Sequence, residues 1–111
     1  MPKGRKIEMQ DASDNIFADL DRPDAQEHYL KAQLVFQIEQ IMKRRKLTQT
    51  AASKLMGIRQ PDVSNMLRGR FRGYSIERIL GFLQCLDQDI EIVIKPKSSQ
   101  SKAGRIIVKA A

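Results

Sequence analysis

Nine basic residues crowd into positions 43–72: Lys43, Arg44, Arg45, Lys46, Lys54, Arg59, Arg68, Arg70 and Arg72. Asp62 is the one acid among them, so this window carries +8, more than the +7 of the whole chain. Charge concentrated in this way is the footprint of a surface that meets a polyanion. Other chemistries lack their residues. One histidine, His28, and one cysteine, Cys85, cannot furnish a Cys/His zinc site or an internal disulfide. A Cys–His or Ser–His nucleophile would depend on that single histidine, at the start of a predicted helix and far from Cys85 in sequence. No glycine-rich phosphate loop is present. The expectation is a protein that is not an enzyme and needs neither metal nor cofactor.

The rest of the chain is charged differently. Residues 1–30 hold four basic and seven acidic side chains, and residues 73–111 hold six basic and four acidic. With 111 residues, 41% of them hydrophobic and 30% charged, the composition is that of one small globular domain. No apolar run reaches the ~18 residues of a bilayer span. The basic start Met1–Lys6 leads into Glu8, Asp11 and Asp14 rather than an apolar stretch, which argues against a secretory signal. A cytoplasmic location with no membrane association is expected.

The charged window has to be positioned by regular elements. Residues 1–22 are polar, acidic and aperiodic, and read as a flexible arm whose one apolar patch is Ile16–Leu20. A helix is expected to follow, with Asp24 as its N-cap, Glu27 completing a capping box, and Leu30, Leu34, Ile38, Ile41 and Met42 along one face to about Arg45. His28 is expected on its surface. Thr48 caps a short second helix, about Gln49 to Met56, and Gly57 ends it in a left-handed turn. A third helix starts near Gln60 with Pro61 in its first turn, buries Val63, Met66 and Leu67, and stops at Gly69. Ser75 caps a fourth, with Ile76, Ile79, Leu80, Leu83 and Leu86 spaced for the core and Cys85 in or near it. The period then changes to two. Ile90, Ile92 and Ile94 share one face of a predicted strand, Asp89–Lys95, which ends at Pro96. Residues 97–104 read as mobile, and Arg105–Lys109 as a weaker second strand.

Two short helices joined by a glycine turn, with small alanines between them and polar residues along one outer edge of the second, meet the requirements of a helix-turn-helix. One helix braces against the backbone while the next lies in the ~12 Å major groove.

At Thr48-Gln49, Ala52, Gly57-Ile58, Gln60, Val63-Ser64 and Leu67–Gly69 the chain resembles the Xre/lambda-repressor family of helix-turn-helix proteins, over about residues 34–86. Ser13–Leu20, the long first helix, Arg68–Ser75 and the closing Asp89–Pro96 segment resemble a HigA-like antitoxin subgroup. The resemblance implies an all-α, lambda-repressor-like bundle of about four helices, here with a C-terminal β-strand. It also implies base reading by Arg59, Gln60, Pro61, Asp62 and Asn65. Gln49, Lys54, Ser64, Arg68, Arg70 and Arg72 would then hold phosphates. Gln60 suits adenine N6/N7 and Arg59 guanine O6/N7. Asp62 either accepts from cytosine N4 or merely complements the helix N-terminus. Arg59 stands where the family has a Ser/Thr cap, which leaves it a base or a phosphate role.

Three domains of action are therefore expected: the arm, 1–22; the DNA-binding bundle, 23–88; and a dimerising segment, 89–111, in which Ile90, Ile92 and Ile94 meet a second subunit or pack on their own domain. The function read from the chain is a sequence-specific regulator of double-stranded DNA, a homodimeric repressor. The alternative is an antitoxin that also binds a toxin protein and represses its own operon. A protein-only interaction module is disfavoured by the basic window.

Overall fold

The computed structural model describes residues 23–97, 100 and 103–111. The arm 1–22, with its Ile16–Leu20 patch, lies outside the described residues. Among the described residues four helices follow one another: α1 (Pro23–Arg45), α2 (Gln49–Met56), α3 (Gln60–Leu67) and α4 (Ile76–Cys85). Helix α1, with 23 residues, is the spine. Leu34, Ile38, Ile41 and Met42 recur on it at three- and four-residue spacing, so they stack on one side and are all buried. Asp24 lies inside the first turn of α1 rather than capping it. There its charge still complements the exposed N–H groups.

Helices α2 and α3 have eight residues each, too few to persist alone in water. Their stability comes from caps and from the spine. Thr48 Oγ1 accepts the Ala51 N–H at 3.0 Å at the start of α2. Such a cap is worth about 1 kcal/mol. Gly57 ends α2 at φ 73° and donates its N–H to Ser53 O at 2.8 Å. In that left-handed region a side chain would strain the turn. Ser75 Oγ caps α4 by accepting the Arg78 N–H at 3.0 Å.

Helix α1 packs against α3 and α4, and α2 packs against α3 and α4. Ile38, Val63, Met66, Ile79 and Leu86 are fully enclosed where these elements meet. Each such side chain contributes about 1.5–3 kcal/mol on leaving water. Phe71, from the segment between α3 and α4, is buried with them. Arg45 fastens the far end: its guanidinium donates to Leu86 O at 2.8 Å and pairs with Asp87 at 3.3 Å.

Three further sequence expectations change. Cys85 is exposed, because it falls at the end of α4, on the side away from Phe82, Leu83 and Leu86. His28 is half-buried instead of standing on the surface, because Phe71 folds back over it. The described residues contain no strand: residues 88–97 and 104–111 are in neither helix nor strand. A strand needs a hydrogen-bonded neighbour, and alternation in the sequence marks only a face to be covered. The three isoleucines also divide. Ile90 packs against the core, while Ile92 and Ile94 are 78% and 92% exposed. Val108 packs beside the core and donates its N–H to Gln33 Oε1 at 3.0 Å.

Candidate nucleic-acid interface

The starts of α2 and α3 are brought together by their first residues. Gln60 Nε2 donates to Gln49 Oε1 at 2.7 Å, across eleven positions of sequence and in the open. The turn through Gly57 and Ile58 makes this meeting possible: Ile58 is tucked against the core while its N–H bonds to Ser53 O at 3.1 Å. The same turn leaves Arg59, Gln60 and Pro61 exposed at the head of α3. Val63 and Met66 point the other way, into the core.

Arg59 occupies the N-cap position of α3 with extended backbone (φ −78°, ψ 154°). Lacking a hydroxyl, it cannot cap as a Ser or Thr does. Asp62 answers from inside the helix: its Oδ2 accepts the Arg59 backbone N–H at 3.3 Å, the reciprocal half of a capping box. The side chains then close on each other, Arg59 Nε to Asp62 Oδ2 at 3.1 Å and Nη2 to Oδ1 at 3.1 Å. These hydrogen bonds hold the Asp62 carboxyl below its ordinary range and raise the Arg59 guanidinium above its own.

One turn further on, Asn65 Oδ1 accepts from Arg70 Nη1 at 3.1 Å, and Asn65 O accepts the Arg70 backbone N–H at 2.9 Å. This double tie, with Gly69 at φ 98°, folds the segment after α3 back toward the helix. Arg68, Arg70 and Arg72 are all exposed on it. Its other anchor lies on α1. Lys31 is buried, donates to Arg72 O at 3.1 Å and pairs with Glu27 at 3.0 Å.

Among the expected base-reading and phosphate-holding residues, three pairs are thus in contact: Gln49 with Gln60, Arg59 with Asp62, and Asn65 with Arg70. Ser64 is half-buried on α3 and Lys54 is exposed on α2. Two residues went unnamed as site residues. Lys43 and Lys46 line the same surface hollow as Thr48 and Gln49. Their signal was their place in the basic window. Among the described residues no His/Cys/Asp/Glu cluster could hold a metal, and no helix is long and apolar enough to cross a membrane.

Comparison with known proteins places this geometry. A family model described as a helix-turn-helix domain matches residues 16–95. A solved structure assigned to the XRE family of transcriptional regulators is 42% identical. It superposes with a TM-score of 0.73 over 80% of this chain and 100% of its own. Comparison with curated proteins gives no match. With its two capped eight-residue helices set at a glycine turn, and with a family match over most of its length, the chain belongs to the helix-turn-helix domain family and is of the Xre type.

Proposed function

We propose that the protein is a sequence-specific regulator that binds double-stranded DNA through α3 and acts as a repressor. The observation that carries this reading is the 2.7 Å hydrogen bond between Gln60 and Gln49. It uses one Nε2 hydrogen of Gln60 and leaves the second, together with Oε1, facing out. Those two groups form the fork that pairs with adenine N7 and N6. Gln49 in turn stands at the N-terminus of α2, where free N–H groups and the nearby Lys43 and Lys46 favour a phosphate. Arg59, Pro61 and Asn65 complete the reading edge, with Asp62 paired to Arg59 there. Lys54, Ser64, Arg68, Arg70 and Arg72 are assigned to the backbone.

The test is binding to random duplexes followed by sequencing, with affinity measured by anisotropy. The selected motif should contain an adenine whose preference disappears in Gln60→Ala at a cost of about 1–3 kcal/mol. Affinity should fall with salt by roughly 0.9 logarithmic units per phosphate neutralised. A Gln60→Ala variant that selects the unchanged motif, or binding indifferent to salt, overturns the reading.

The same reading includes a homodimer on two half-sites about 34 Å apart. The apolar side chains of Ile92 and Ile94, without cover in the single chain, support it. Pairing of the 89–95 segments of two subunits would supply the strand neighbour each lacks.

An antitoxin role is the second reading, and the sequence pattern Ser13–Leu20 favours it. It adds a toxin partner bound through residues 1–22. Deleting those residues should abolish neutralisation of a co-encoded toxin while DNA binding persists. Undiminished neutralisation removes the role of the arm.

A further inference from the structure

Arg59 has five N–H donors in a planar guanidinium, and their directions are fixed. Asp62 takes two of them, from Nε at 3.1 Å and Nη2 at 3.1 Å, along one side of the plane. That is a fork-to-fork pairing, the geometry that fixes orientation as well as charge. It leaves the end of the guanidinium free, with one N–H on Nη2 and both on Nη1. The free end is again a two-pronged donor, and its spacing matches guanine O6 and N7. The Arg59 side chain is 77% exposed, which leaves most of it open to solvent. Asp62 is itself fixed. Its side chain is 27% exposed and its Oδ2 is held by the backbone N–H of Arg59 at 3.3 Å.

We infer that Asp62 is a positioning residue for guanine recognition. It holds the Arg59 guanidinium with its end-on fork presented to a guanine in the major groove, and it acts on sequence preference through Arg59. This inference rests on the DNA-binding reading given above and adds a second specificity element beside Gln60. An unpartnered arginine has rotamer freedom that base pairing must freeze. Here the intramolecular pair already restricts it, so a guanine contact forms with less loss. The pairing also separates two functions of one carboxylate. The Arg59 N–H contact serves the helix start, and the guanidinium contacts serve the base.

The experiment is duplex selection and sequencing on the full chain, with Arg59→Ala, Asp62→Ala, Asp62→Asn and the Arg59→Ala/Asp62→Ala double variant, each checked by thermal melting. Asp62→Asn retains an oxygen for the Arg59 backbone N–H but offers only one acceptor to the guanidinium. Wild type should select a guanine that Arg59→Ala no longer prefers. Both Asp62 variants should weaken preference at that same base pair, by roughly tenfold for Asp62→Ala, and leave the Gln60-dependent adenine in place. The double variant should be no worse than Arg59→Ala alone at that pair. If Asp62→Ala lowers the melting temperature and weakens all duplexes evenly with the guanine intact, the carboxylate is only a helix cap and the inference fails. If Asp62→Ala loses a different base pair from Arg59→Ala, it reads a base directly and the inference also fails. A wild type that selects no motif sinks the DNA-binding reading together with this one. A motif with no Arg59-dependent guanine sinks this one alone.

Discussion

The imidazole of His28 lies on the ring of Phe71, with centroids 5.0 Å apart and planes 18° from parallel. Its Nδ1 is enclosed and has no hydrogen-bond partner among the described residues. Burial first, then the charges of Arg72 and Lys31, lower its pKa from the ordinary 6.5. Asp24 and Glu27 line the same hollow, yet the net shift of His28 is downward. A histidine with a folded pKa below its unfolded value binds protons more readily when unfolded. Stability from the neutral ring is therefore complete above pH 6.5 and declines as pH falls from there toward the folded pKa. The melting temperature of the wild type should drop between about pH 7.5 and about pH 5.5, whereas His28→Phe should stay nearly level over that range. Equal drops in both proteins would show that His28 is not the titrating group.

Gly57 sits at φ 73° with open space where a Cβ would be. Gly57→Ala therefore meets no clash and isolates the backbone penalty. Left-handed geometry should cost about 1–2 kcal/mol. In a domain of this size the melting temperature should fall by about 4–8 °C per kcal/mol. A variant as stable as wild type would mean that the turn relaxes to another conformation, and the Gln49–Gln60 contact should then be lost as well.

Met66 is fully buried between the helices although it belongs to α3, the helix that carries Gln60. Met66→Ala should cost about 2–5 kcal/mol in chemical denaturation, since the removed atoms leave a cavity. At a temperature where the variant is still folded, the order of its preferred DNA sequences should be unchanged. A changed preference would show that the packing of Met66 sets the pose of α3.

Ile92→Lys places a charge at a position that is 78% exposed in the single chain. Surface substitutions of this kind are usually within ~0.5 kcal/mol for folding. Monomer stability should hold, while sedimentation should shift from dimer to monomer and DNA affinity should fall. A dimer that survives Ile92→Lys and Ile94→Lys together is held elsewhere.

Local signals in the sequence located the helices well. Thr48, Gly57 and Ser75 each act on their immediate neighbours, so their types announce the caps that the structure contains. The three- and four-residue spacing from Leu34 to Met42 foretold the buried side of α1 for the same reason. His28 and Lys31 were not legible, because their surroundings depend on Phe71 and Arg72, forty or more positions away. Cys85 was misplaced because a helix face gives no warning of where its last turn leaves the core. The segment from Asp89 to Lys95 shows the opposite limit. Its alternation asks for a neighbour, and among the described residues no strand pairs with it. At the interface, residue types and spacing suggested Gln49, Arg59, Gln60, Asp62 and Asn65 one by one. Their association into pairs could be seen only once the two helix starts stood side by side.

Those pairs bear on how such a protein changes its target over generations. The side chains at the head of α3 are linked to partners that lie outside the buried core: Gln60 to Gln49, Arg59 to Asp62, Asn65 to Arg70. A lineage can therefore exchange them without disturbing Val63 or Met66 beneath. It cannot exchange them singly without stranding a partner. Drift to a new operator should leave its mark as coupled replacements, two positions at a time, across an otherwise unaltered scaffold.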